Sequence, residues 1–229
     1  MILIPVKKLC GAKQRLGAVL EQPARTELAH AMLTDVASSV AASACDDVAV
    51  VTSDQFAVEL ARRHGFEVFP DDSNVSETDA IEMATRWSEA RGVDSTLVIP
   101  ADVPLITPEE IRAIRENAPE AGSVLVPSRD HRGTNAALRR PPSLFPLRFG
   151  NDSFMPHLAA AIATARPCVV LSLPGIALDI DTPEDLRELA QARGEKRSQI
   201  LARTLGFGPG GGYRPAPAGS RDRLPAAKS

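Results

Sequence analysis

Cysteine is scarce in this chain, and positive charge is not in excess. The three cysteines, Cys10, Cys45 and Cys168, are far apart and form no Cys-x-x-Cys pair, so neither a disulfide framework nor a cysteine zinc site is suggested and a reduced cytoplasmic setting fits. A net charge of −3 argues against a nucleic-acid partner or a polybasic membrane contact. No apolar run approaches the length of a transmembrane helix. The opening Met1-Ile-Leu-Ile-Pro-Val6 is too short for a signal peptide and meets Lys7-Lys8 on the wrong side. Internal repeats and a Walker loop are missing. The formal Gly-x-Gly-x-x-Gly match at Gly206-Phe-Gly208-Pro-Gly-Gly211 follows no strand and sits among prolines, so it carries no dinucleotide reading.

What is present is an α/β alternation. Thr96-Leu-Val-Ile-Pro-Ala-Asp102-Val-Pro-Leu105 reads as a central parallel strand running into a carboxylate, with Pro104 unable to continue the ladder. Asp102 then stands at a strand's carboxyl end, where open α/β sheets bind ligands. Thr107-Pro-Glu-Glu110 supplies its own helix cap, so Asp102 is not needed for that task. Further strands are expected at Ile2 to Val6, Asp47 to Ser53, Phe66 to Phe69, Ser123 to Pro127, Thr134 to Arg139 (short) and Val169 to Leu173. Helices are expected from Glu21 to about Ser43, Gln55 to His64 with Gly65 as its stop, about Ala80 to Arg91, and up to about Ala165. The whole reads as a Rossmann-like three-layer, mostly parallel sheet in one domain over residues 1–193, followed by a disordered tail over 194–229 where the composition turns to Gly, Pro, Ala and Arg.

Four places carry candidate chemistry. The loop after the first strand holds Lys7, Lys8, Lys13 and Arg15 around Gly11, which suits either a phosphate-binding loop or a solvated charged turn. Arg148, Gly150 and Ser153 precede a helix whose first N–H groups have no internal partner, a place for an anion, unless Asn151 or Asp152 merely caps it. Leu178-Asp-Ile-Asp181, read as extended, puts Asp179 and Asp181 on one side and Ile180 on the other. If these converge with Asp102, two charges about 4 Å apart repel by about 4 kcal/mol at an effective dielectric near 20, so the cluster wants a cation. Oxygen-only ligands favour Mg²⁺, or Mn²⁺, over zinc. Finally, Ser76, Glu77 and Asp79 are candidates for contact with a nucleotide base, set against a plain helix start with Ser76 as cap and Asp79 at the third position. The four histidines, His30, His64, His131 and His157, have no role beyond surface or packing.

Several short motifs now fall in order: Pro5-Val-Lys7 with Lys13-x-Arg15-Leu16, Val50-Val-Thr-Ser-Asp54, Ile99-Pro-Ala-Asp102-Val-Pro-Leu105, Gly133-Thr-Asn135, Arg148-Phe-Gly150-x-x-Ser153-Phe154 and Leu178-Asp-Ile-Asp181-Thr-Pro-Glu-Asp185. In this order the chain, from about residue 2 to 192, resembles the 2-phospho-L-lactate and phosphoenolpyruvate guanylyltransferases of coenzyme F420 biosynthesis, members of the nucleotide-diphosphate-sugar transferase-like fold. The resemblance implies a mixed sheet of about seven strands with one antiparallel, and metal ligation by Asp102, Asp179 and Asp181. It places a phosphorylated three-carbon acid against Thr134, Gly150 and Ser153, and a GTP triphosphate near Lys7, Lys13 and Arg15. The chain departs from the family at Ser73 to Asp79, near the expected base site, which leaves base choice open. The alternatives are a nucleotidyltransferase with another base or acceptor and a non-catalytic nucleotide-binding relative; a homodimer is left open.

Overall fold

The structure is a computed structural model that describes residues 1–45, 47–71, 76–150 and 152–211. Seven strands form one sheet: β1 (Ile2–Val6), β2 (Val48–Thr52), β3 (Glu67–Pro70), β4 (Thr96–Val98), β5 (Gly122–Pro127), β6 (Thr134–Arg140) and β7 (Cys168–Val170), in the order β3-β2-β1-β4-β6-β5-β7. Only β6 runs against its neighbours β4 and β5. It is a full seven-residue strand, longer than the short return expected, because its inward and outward residues are both covered.

Helices cover both faces: α1 (Gln22–Ala42), α2 (Gln55–His64), α3 (Glu77–Ala90), α4 (Pro108–Glu116), α5 (Phe154–Ala163), α6 (Pro174–Ala177), α7 (Pro183–Gln191) and α8 (Arg197–Ala202). Strand alternation sorts the side chains between two cores. Ile2, Ile4 and Val6 pack with Leu33 and Val40 of α1, Leu60 of α2 and Ile111 of α4. Leu3, between them in sequence, packs on the other face with Ile81 of α3 and Ala161 of α5. A third cluster joins Leu28 and Met32 of α1 to Leu186 and Leu189 of α7, Ala202 of α8, and Leu178 and Ile180.

Pro5 explains why the sheet opens where it does. Strand β4 pairs with β1 only at Ile2 and Leu3, and Ile99 N–H donates to the Leu3 carbonyl. In a parallel ladder, alternate residues address the same neighbour, so a donor at position 5 would face β4 beyond its end, where proline loses nothing. Past Leu3 the chains of β1 and β4 part, and the crevice lies at that switch point.

Two expectations are corrected here. Residues Leu178 to Asp181 form no strand, although the alternation holds: Leu178 and Ile180 are buried while the two aspartates stay half-exposed. The domain does not stop at 193. Helix α8 and the turn through Phe207 are ordered, with Ser198, Gln199, Ala202 and Phe207 buried. The packing partner of this segment is Asp35 on α1, which accepts from the Arg197 and Ser198 N–H groups and the Ser198 hydroxyl at 3.0, 2.8 and 2.6 Å. Residues 212–229 lie outside the described residues.

Candidate active site

One cavity of about 950 Å³ opens at the carboxyl ends of β1 and β4. Its wall carries Lys7, Lys8, Lys13 and Arg15, Glu77, Asp102, Arg129, Arg132, Thr134, Asn135, Gly150, Ser153, Asp179 and Asp181. The basic loop, the aspartates and the anion pocket therefore meet in one place.

At one end the carboxylates gather around a lysine. Lys13, in a left-handed backbone conformation (φ 55°), donates its ammonium to Asp102 at 2.8 Å and to Asp181 at 3.0 Å. Arg15 adds a bond to Asp181 at 3.2 Å. The Ile180 N–H donates to the Asp102 carbonyl at 3.0 Å, which ties the two distant segments directly. Burial alone would lower the Lys13 pKa, but Asp102 and Asp181 outweigh it and hold the ammonium charged well above its usual range. Burial would likewise raise Asp181, and Lys13 and Arg15 reverse that to a lowered value. Among the described residues Asp179 has no such cation: burial raises its pKa, with repulsion from Asp102 and Asp181 added, against an Asn135 hydrogen bond at 3.0 Å. Asn135 also donates to the Ile176 and Ala177 carbonyls and so fixes the approach of residue 179.

Among the described residues no three His, Cys, Asp or Glu side chains already form a metal cluster. The expected three-aspartate cage is thus not closed, because the Lys13 ammonium stands between Asp102 and Asp181. The donor set still fits a hard divalent ion: the ligands are carboxylate oxygens, two of them already share one positive charge, and the third is destabilised by their proximity.

Elsewhere the loop is braced. Lys7 pairs at 2.7 Å with buried Asp71. Asp54 caps α2 through the Ala57 N–H and also accepts from the Leu9 N–H at 3.0 Å. Of the three candidates near a base, Ser76 and Asp79 are used by the helix start: Ser76 caps α3, accepting from the Asp79 N–H and donating to its carboxylate. Only Glu77 reaches the cavity, its pKa pushed up to about 7 by burial and then by the charge of Asp102. The departures at Ser73 to Val75 lie outside the described residues.

The other end is built on hydroxyls. Ser153 accepts from the Thr134 N–H at 3.1 Å, and Thr134 Oγ1 contacts His157 Nδ1 at 2.8 Å. His157 Nε2 lies 2.7 Å from the Arg148 N–H, which can only donate. Nε2 must therefore accept, the proton sits on Nδ1, and Nδ1 donates to Thr134. Both hydroxyls receive a bond and can still donate their own protons toward an anion. Burial, then Arg139, lowers the His157 pKa to about 4, in keeping with a neutral ring. Gly150 has φ +136°, a conformation side chains resist.

Two readings of this end change. The Arg148 side chain is exposed and does not line the cavity; its backbone is what matters. Asp152 does not supply the cap at α5: Ser153 is its N-cap and Asp152 pairs with Arg132, while Asn151 lies outside the described residues. The first N–H of that helix, on Phe154, already donates to the Arg132 carbonyl, so it is not open to a ligand. Arg132, Asn135 and His157 are the residues that reading the sequence missed. Asn135 and Arg132 adjoin Thr134 and Gly133, and that proximity was the available signal; nothing local marks His157.

The chain matches, over residues 1–210, the family described as guanylyl transferase CofC like. It belongs to this guanylyltransferase family. Phosphoenolpyruvate guanylyltransferases of Rubrobacter xylanophilus and Sphaerobacter thermophilus are 37% and 38% identical over 84% and 82% of the chain, covering 94% and 91% of their own lengths. A 3-phospho-D-glycerate guanylyltransferase of Colwellia psychrerythraea is 35% identical over 82% of the chain and 90% of its own. Among solved structures, one from Desulfovibrio desulfuricans assigned to the nucleotide-diphospho-sugar transferases superposes with a TM-score of 0.73 at 18% identity, covering 89% of this chain and 93% of that one. The expected three-layer nucleotidyltransferase fold is the one observed, and the guanylyltransferase is an enzyme of that class. No helix among the described residues is long and apolar enough to cross a membrane.

Proposed function

We propose that this guanylyltransferase joins GMP from GTP to a phosphorylated three-carbon acid, phosphoenolpyruvate or 2-phospho-L-lactate, releasing diphosphate in coenzyme F420 biosynthesis. The observation that carries this reading is the single cavity with a carboxylate-and-lysine end and a hydroxyl-lined end. The acceptor's phosphate oxygen attacks the α-phosphorus, and the bond from that phosphorus to the bridging oxygen breaks. A phosphate monoester is mostly dianionic at neutral pH, so no general base is needed. Asp102, Asp179 and Asp181 would hold Mg²⁺, or Mn²⁺, which when bound neutralises developing phosphate charge. Lys7, Lys13 and Arg15 neutralise the triphosphate, and Lys13 leaves the aspartates as its phosphate partner arrives. Thr134 and Ser153 donate to the acid, and Gly150 admits it against the backbone. Glu77, which lines the same cavity, remains the candidate for contact with the nucleotide base.

The test is a mixture assay with Mg²⁺, each of GTP, ATP, CTP and UTP, and phosphoenolpyruvate, 2-phospho-L-lactate or 3-phosphoglycerate, read by mass spectrometry of the conjugate. A guanosine diphosphate conjugate of one of the first two acids is expected. A product only with another base, only with 3-phosphoglycerate, or with none of these acids would overturn the assignment.

A further inference from the structure

A small acceptor carrying both a phosphate and a carboxylate needs a cation at each anion, and most of the cavity's cations are committed. Lys13 and Arg15 serve the aspartates, Lys7 serves Asp71, and Arg129 is held by Glu188 and Asp185 on α7. At the hydroxyl-lined end the guanidinium on the cavity wall is that of Arg132, paired with an exposed carboxylate that could be displaced, and its surroundings are built. The turn from Ser128 to Gly133 is cross-braced: Ser128 donates to Asp130 at 2.6 Å, the Arg132 N–H donates to Asp130 at 3.0 Å, and the Gly133 N–H donates to Ser128 at 2.7 Å. A Cβ on Gly133 would come within 3.2 Å of the Ser128 hydroxyl, so the turn closes tightly there. The Arg132 carbonyl meanwhile holds the Phe154 N–H at 2.9 Å. Backbone on both sides of the guanidinium is therefore fixed, two residues from Thr134.

The guanidinium itself is bound through two nitrogens to the two oxygens of Asp152, at 2.5 and 3.0 Å. Both side chains are well exposed, both line the cavity, and Asp152 adopts φ +57°. A bare carboxylate beside an anion subsite would repel the ligand. Paired in this fork, it has the shape of the group the subsite should receive. We propose that the Arg132 guanidinium recognises the carboxylate of the acceptor, and that Asp152 holds the fork in the free enzyme and on binding yields it by turning out to the solvent that already reaches its side chain. Arg132 is then the residue that separates phospho-acids from phosphate monoesters lacking a carboxylate. The inference deepens the function proposed above and rests on it.

The test compares phosphoenolpyruvate or 2-phospho-L-lactate with glycerol 2-phosphate, which lacks the carboxylate, in wild type, Arg132→Ala, Arg132→Lys and Asp152→Ala. KM and kcat are measured, and binding of each compound is followed by calorimetry. Arg132→Ala should raise KM for the acid roughly 10- to 100-fold, the usual loss for a charged fork, while GTP binding stays within about twofold and the preference for the carboxylate disappears. Arg132→Lys should recover only part, since an ammonium cannot grip bidentately. Asp152→Ala should tighten the acid by removing its competitor. A carboxylate preference that survives Arg132→Ala, with wild type active, overturns this inference and leaves the function standing. Wild type that neither binds nor converts any phospho-acid overturns both, and unchanged GTP binding in the variants separates either outcome from misfolding.

Discussion

Lys13 is where charge and position are coupled most tightly. Its ammonium is shared by Asp102 and Asp181 and offsets part of their mutual repulsion. Lys13→Met should lower turnover by at least roughly 100-fold, in line with the loss of one group that stabilises developing charge. The same variant should melt below wild type in metal-free buffer and gain more from added Mg²⁺ than wild type does, because the ion then supplies the missing charge. Calorimetric melting with and without Mg²⁺ reads this directly: equal shifts in the two proteins would refute the replacement of Lys13 by the ion, and no shift in either would refute a metal at these aspartates. His157 makes a separate prediction. Its folded pKa of about 4 lies below the ordinary 6.5, so between those values the unfolded chain takes up a proton that the folded ring refuses. Stability is thus complete above pH 6.5 and falls as the pH drops toward 4, by up to about 3 kcal/mol. His157→Phe should flatten that slope in urea unfolding and raise KM for the acid about 10-fold, since Thr134 loses the donor that frees its own proton.

Among elements, the ones with their signals packed into neighbouring residues were legible. The Thr-Pro-acid caps at Thr107 and Thr182 both form capping boxes, and Gly65 ends α2 at φ +72°. Helix α8 was not legible, because what orders it is remote. Its N-terminus has no apolar stripe to announce it, and its cap is a carboxylate on α1, more than 160 positions away in sequence. The same docking reaches the active site. Lys196, just before α8, donates to the Pro104 and Ile106 carbonyls at 2.7 and 2.6 Å, holding the turn that follows Asp102. Asp35→Ala should therefore cost about 2 kcal/mol in chemical denaturation, the upper range for a lost cap, and should also reduce kcat. A variant that loses stability while kcat is untouched would separate α8 from the site. The aspartate pair at 179 and 181 lies between these cases. Alternation put both on one side, but the segment is held by Asn135 and by the Asp102 carbonyl instead of by a sheet neighbour.

Across the whole molecule, the α/β alternation made the layered sheet readable, whereas the links between layers were invisible, since they join residues with no shared period. The largest is Arg139, on β6, wholly buried. It donates to Glu82 at 3.1 Å, to Thr85 at 2.9 Å and to the Phe145 carbonyl at 2.5 Å. Glu82 also accepts from the Leu147 N–H, and one turn earlier Thr78 accepts from the Phe149 N–H. Helix α3 thus clamps the loop that carries Gly150, and its first residue, Glu77, lines the same cavity. One rigid element therefore reaches both of the proposed substrate subsites. Burial lowers the Arg139 pKa, and Glu82, with a further contribution from Glu89, pulls it back, so removing the Glu82 carboxylate takes from a buried cation its directly bonded counter-charge. Glu82→Ala should then cost about 3 to 5 kcal/mol, the usual penalty for breaking a buried pair. Glu82→Gln, which keeps an acceptor for Leu147, should cost less. Because the loop on the acid side loosens first, KM for the acid should rise more than KM for GTP in Glu82→Gln. Equal rises in the two constants would mean that α3 supports the fold without setting the acid pocket.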